Sequence, residues 1–146
     1  MPSPFANAFM KAILLSPFHA LMGDAFAVVT VTGRKTGRRI STPVNVTLQD
    51  GEYLVISLRN RTWWRNLLDG RAGELHHHGK TFPVAARILD QAPKVLPVLK
   101  RFFEAHPGRE NYFGIRTDPE GYAFKDDLTR AAEERVAVFL APRASG

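Results

Sequence analysis

The chain has 146 residues, 45% of them hydrophobic and 23% charged, which fits one folded domain and excludes a disordered chain. It has no cysteine, which excludes disulfides and thiolate metal sites and is compatible with a reducing cytoplasm. Its net charge of +6 would fall to −1 without the seven cations of two clusters, Arg34, Lys35, Arg38 and Arg39, then Arg59, Arg61 and Arg65. Such local basicity suits a polyanionic small ligand and ranks nucleic acid lowest among the partners.

In chain order, residues 1–22 open with an apolar stretch. Lys11, Pro17 and His19 interrupt it, whereas a membrane span needs about 20 mostly apolar residues. Phe5, Phe9 and Ile13 recur at spacing four, so the segment reads as short helices with one apolar face. With Phe18, that face is expected to act as a lid over a pocket; plain core and peripheral membrane contact are the alternatives.

Phe26 to Thr32 is β-branched and aromatic and reads as a strand. Gly33-Arg34-Lys35-Thr36-Gly37 makes a turn whose glycines leave backbone amides to face an anion, and its cations add charge-assisted bonds. An ordinary solvated hairpin tip is an equal reading of the same residues. Val44, Val46 and Leu48 alternate with Asn45 and Thr47 as one half-buried strand. Asp50-Gly51 predicts a hairpin, and Tyr53 to Leu58 the strand after it.

Thr62 is the expected N-cap of a short helix over Trp63 to Asp69 that stops at Gly70. Arg59 and Arg61 sit just before its N-terminus, an end that favours anions. Trp63 and Trp64 offer flat apolar cover, and at least one of them is expected simply to pack the core.

Leu75 to His78, a Gly79-Lys80 turn and Phe82 to Leu89 read as a second hairpin. On such a strand only His76 and His78 share a face, and two imidazoles alone make a poor site, so no metal is expected. Asp90 and Pro93 open a helix with Val95, Leu99, Phe102 and Phe103 on its inner side. A loop follows to Lys125, then a helix over Asp126 to Glu134 and a closing strand over Val136 to Leu140. The sum is one mainly β domain with helices (α+β) over 1–146. Residues 26–89 carry the main strands and 90–146 the helix, loop and closing strand, with about six antiparallel strands closing as a small barrel.

The segments TGRKTGRR, TPV and WWRNL, spread over Thr32 to Leu67, resemble the deazaflavin (F420)-dependent nitroreductase family. Fainter similarity continues to the terminal Arg130 to Val136 segment. That resemblance implies a split β-barrel of the FMN-binding type and an oxidoreductase. It would pass hydride from reduced F420 to a quinone, an activated alkene or a nitro compound. By the same carry-over Arg34 and Lys35 hold the phosphate, and Arg38 or Arg39 matches an arginine that relatives place before the second strand. Ser57 ends the strand along the deazaflavin, and Trp63 and Asn66 hold the helix end against the cofactor. Leu58-Arg59-Asn60 stands where many relatives have a longer glycine- and lysine-containing loop. Tyr112, in the region that borders the substrate pocket in relatives, is the candidate proton or hydrogen-bond donor; resting on the core is the alternative. FMN or haem on the same fold, a non-catalytic ligand carrier and a homodimer complete the expectations.

Overall fold

The computed structural model describes residues 25–143. The N-terminal segment expected to be helical over 1–22 lies outside those residues. The described chain divides into two compact units. One takes in the described residues up to Val55, then Thr62–Arg87 and the chain from Phe139; the other takes in Ile56–Arg61 and Ile88–Val138.

Seven strands occur among the described residues: β1 (Phe26–Thr32), β2 (Arg39–Asn45), β3 (Thr47–Gln49), β4 (Glu52–Leu58), β5 (Ala72–His77), β6 (Lys80–Leu89) and β7 (Arg135–Pro142). They form one sheet in the order β2-β1-β5-β6-β7-β4-β3. β1 pairs antiparallel with β2 and β5, β3 with β4, and β5 with β6. All seven contribute residues to the first unit.

The single strand expected across Val44–Leu48 is in fact two. β2 ends at Asn45, the Val46 amide donates to the Ala25 carbonyl at 2.7 Å, and β3 begins at Thr47. Val44 and Val46 are buried, but Leu48 is 65% exposed opposite Tyr53 on β4. The alternation in sequence therefore conceals a change of pairing partner. Pro43 lies on β2, whose one neighbour among the described strands is β1, an edge position where a missing amide donor is tolerated.

The β3–β4 and β5–β6 hairpins close on two-residue turns with positive φ at both centres. These are Asp50 (54°) with Gly51 (81°), and His78 (52°) with Gly79 (74°). The second turn thus sits one residue earlier than the expected Gly79-Lys80, and Lys80 pairs with His77.

Three neighbours in β1, Ala27, Val28 and Val29, are buried, as is Val31, so both faces of this strand are covered. The segment Trp63–Gly70 packs in the same unit as a 3-10 helix rather than an α-helix. Leu68 is extended (φ −65°, ψ 158°) and Asp69 left-handed (φ 64°), and the Thr62 side chain caps nothing. Gly73 of β5 explains how close the segment comes. A Cβ there would lie 3.0 Å from Leu67 Cδ2 and 3.1 Å from the Thr30 carbonyl. Leu67, Trp63 and Trp64 are all buried, and full burial of a Leu-sized side chain contributes about 1.5–3 kcal/mol.

In the second unit, α1 (Ala92–Ala105) buries Val95, Leu99, Phe102 and Phe103 as the spacing predicts, and α2 (Lys125–Glu134) buries Leu128, Ala131 and Ala132. Phe113, in a 3-10 turn over Arg109–Phe113 within the expected loop, meets Phe103 edge-on at 5.1 Å and Phe102 at a tilt at 5.8 Å. Asp127, in the first turn of α2, accepts from the Arg116 backbone amide (2.9 Å), from Arg116 Nε (2.8 Å) and Nη2 (3.0 Å), and from Arg130 Nη2 (3.1 Å). Among the described residues no helix is long and apolar enough to cross a membrane.

Candidate functional site

The turn between β1 and β2 carries the first cationic cluster in the first unit. It closes on itself through the Gly33 amide to the Arg38 carbonyl (2.7 Å) and the Gly37 amide to the Gly33 carbonyl (3.0 Å). The Arg38 amide donates to Thr36 Oγ1 (3.2 Å). Gly37 holds φ 71°, and a Cβ on Gly33 would lie 2.8 Å from Thr36 Oγ1. The two glycines are therefore required for different reasons, left-handed backbone at one and close approach at the other.

This closure narrows the expected supply of amides. Those of Gly33, Gly37 and Arg38 are used within the turn, and that of Arg34 is used outside it. Among the described residues the Lys35 and Thr36 amides make no hydrogen bond, and both residues are exposed. Two amides without partners among the described residues and three cations, Arg34, Lys35 and Arg38, in one exposed turn are a donor set that suits a phosphate.

The turn is tied to the Trp63–Gly70 segment, some thirty residues away in sequence. The Arg34 amide donates to Asn66 Oδ1 at 3.0 Å, and Arg34 Nη1 donates to the Arg65 carbonyl at 3.2 Å. Asn66 Nδ2 faces the carbonyls of Trp63 (3.3 Å) and Thr62 (3.4 Å). Only this amide orientation gives the Arg34 N–H an acceptor and the two carbonyls a donor. The Arg65 guanidinium lies 4.7 Å from the Trp64 ring centroid. Trp63 and Trp64 are 4% and 2% exposed, so both indoles pack the unit's core, and Trp63 presents little ring to a ligand.

The other residues singled out from the sequence have different settings. Arg39 leaves the turn, enters β2 and pairs with Glu74 Oε1 at 3.1 Å. In the second unit Ser57 is buried, and its hydroxyl donates to the Leu58 carbonyl at 3.1 Å. Arg59 is committed to the end of α2. Its amide donates to the Glu134 carbonyl (2.7 Å), its Nε to the Glu133 carbonyl (2.9 Å) and its Nη2 to the Arg135 carbonyl (3.2 Å). It thus answers carbonyls that a helix C-terminus leaves without partners, where a cation is also favoured by the helix dipole. Arg61 is exposed. Tyr112 is 84% exposed, which rules out the alternative in which it rests on the core.

His76 Nδ1 shares a hydrogen bond with Thr81 Oγ1 at 2.7 Å, and His77 meets Tyr53 edge-on at 5.3 Å. His78 sits in the turn rather than on the strand, and no group of three metal-ligating side chains occurs among the described residues. Sequence reasoning missed the parts played by Thr36 and the Arg65 carbonyl. Main-chain acceptors carry no residue signature, and Thr36 between two glycines was the one available signal.

Comparison with known proteins defines the class first. A pyridoxamine 5'-phosphate oxidase-related, FMN-binding protein from Nostoc punctiforme is similar with a TM-score of 0.53 at 12% identity, over 97% of this chain and 81% of that one. A conserved hypothetical protein from Mycobacterium tuberculosis gives 0.52 at 16% identity, over 89% and 82%. An F420-H2 dependent reductase, FDR-A, gives 0.50 at 17% identity, over 80% and 92%. These likenesses show the fold, the split β-barrel of FMN-binding proteins. The family model described as F420H(2)-dependent quinone reductase matches residues 15–118, and the chain belongs to that family. It is an oxidoreductase that uses coenzyme F420. No curated protein matches the chain.

Proposed function

We propose that the chain passes hydride from reduced F420 to a quinone, with activated alkenes and nitro compounds as further acceptors. The observation that carries the cofactor's placement is the Gly33–Arg38 turn, whose first cation is fixed at both its amide and its head. The cofactor supplies the redox chemistry when bound, and the chain supplies binding and orientation. Arg34, Lys35 and Arg38, with the Lys35 and Thr36 amides, hold the phosphate; Arg61 adds positive charge for the acidic tail. Tyr112 is the candidate donor to the acceptor's oxygen. A cytoplasmic location and a homodimer belong to the same reading, and the cysteine-free composition is compatible with the first.

The test is a titration with F420, FMN, FAD and haem, followed by oxidation of reduced F420 with menadione as acceptor. Replacing Arg34 and Lys35 together by Ala should weaken F420 binding by roughly 2–4 kcal/mol, at about 1.5–3 for each charged hydrogen bond before losses. Unchanged affinity in a folded double variant would remove the turn from the site.

A further inference from the structure

We infer that Asn66 is a positioning residue for the cofactor's phosphate. It acts through the Arg34 backbone and touches neither the phosphate nor the deazaflavin ring. The inference rests on the reading of the Gly33–Arg38 turn as the phosphate site.

Both N–H donors of the Asn66 side chain and one lone pair of its oxygen are engaged inside the protein. Its oxygen accepts the Arg34 amide at 3.0 Å, and its nitrogen faces two carbonyls of its own helical turn at 3.3 and 3.4 Å. What is left, one lone pair on the oxygen, is an acceptor that cannot bind a phosphate oxygen. What the side chain does is join two backbones. The Trp63–Gly70 segment is anchored by three buried side chains, Trp63, Trp64 and Leu67. The turn, by contrast, is exposed from Arg34 to Arg38. A contact from the anchored element to the first cation of the exposed one limits where that cation can go. Arg34 Nη1 on the Arg65 carbonyl is the second contact of the pair, and it fixes the head only while the main chain beneath it stays in place. An oriented guanidinium loses less freedom when it binds an oxyanion than a mobile one does, so the ordering is worth affinity for the anionic part of the ligand alone.

Two ligands separate this role from a general structural one: F420 itself, and its riboside, which has the same deazaflavin ring but lacks the phosphate and acidic tail. Asn66→Ala should raise the Kd for F420 about tenfold, the scale of one lost hydrogen bond that orders a charged group. It should leave the Kd for the riboside within about twofold. In an Arg34→Ala background the further loss from Asn66→Ala should vanish, because the amide contact that remains then orders a main chain that carries no guanidinium. Asn66→Ser, too short to reach the Arg34 amide, repeats the measurement should the Ala variant not fold.

Equal weakening of both ligands would overturn the inference and make Asn66 a plain structural residue. Additive losses with Arg34→Ala would overturn it as well. If Arg34→Ala leaves F420 affinity unchanged, the reading of the turn itself fails. If Arg34→Ala weakens F420 and Asn66→Ala does not, that reading stands and only the role of Asn66 is lost.

Discussion

Asp127 and Arg59 show how far a charged residue's type underdetermines its work. Asp127's side chain is 2% exposed, and it is an acceptor to two arginines and one backbone amide. The hydrogen bonds from Arg116 come first among the causes that hold its carboxyl well below the ordinary carboxylate range. The sign of the pH effect follows. A depressed folded-state value means that the unfolded chain takes up the proton first. Asp127 therefore contributes its full stability above about pH 4, the ordinary value for an aspartate, and loses it as the pH falls below that. Asp127→Asn should lower the melting temperature by roughly 5 °C or more at pH 7, as expected for breaking a buried network. The variant's thermal melts should also show a shallower acid limb than the parent. An acid limb of unchanged steepness would assign the group no part in acid unfolding. Arg59, selected from the sequence for its charge beside a helix start, works instead at the C-terminal end of α2. Its partners are main-chain carbonyls more than seventy residues away, which no local pattern reveals.

At the scale of elements, the cation-bearing turn makes the clearest prediction, because its two glycines resist substitution for different reasons. Gly37→Ala meets open space but keeps φ 71°, at a cost of about 1–2 kcal/mol for a left-handed alanine. Gly33→Ala drives a Cβ to 2.8 Å from Thr36 Oγ1, the oxygen that receives the Arg38 amide. Gly33→Ala should therefore weaken F420 binding more than Gly37→Ala does at comparable melting temperatures. Paired calorimetric titrations and thermal melts check this, and the reverse order would detach turn closure from cofactor affinity. Strands, hairpins and the inner face of α1 were legible in the sequence because each rests on a local period or a two-residue turn. The split at Val46 was not, since the alternation continues while the pairing partner changes. Nor was the 3-10 character of Trp63–Gly70, whose Leu68 and Asp69 dihedrals break the helix. Of the candidate site, the residue types at Arg34 and Asn66 were legible. The hydrogen bond between them was not, because a contact across thirty-two positions is set by the sheet that brings them together.

For the whole molecule, the distribution of charge sets how cofactor binding responds to salt. A net charge of +6 would be −1 without the two clusters, so the positive field is local and not spread over the surface. Arg34, Lys35 and Arg38 are exposed, so their attraction for a polyanionic cofactor is open to screening. The screening length falls from about 10 Å at 0.1 M salt to about 3 Å at 1 M. Across that range the KM for reduced F420 should rise at least about fivefold, with menadione saturating. The kcat should stay within about twofold, because the neutral quinone and the ring chemistry carry no matching charge. Tyr112→Phe should behave differently. It removes a hydroxyl that faces solvent at 84% exposure, lowers kcat by less than about tenfold, and leaves the salt dependence of KM intact. Stopped-flow oxidation of reduced F420 at both ionic strengths measures the two effects together. A KM insensitive to salt would mean that the cofactor's tail is not held by these exposed cations. A kcat that fell in step with affinity would mean that the same contacts also place the ring for transfer.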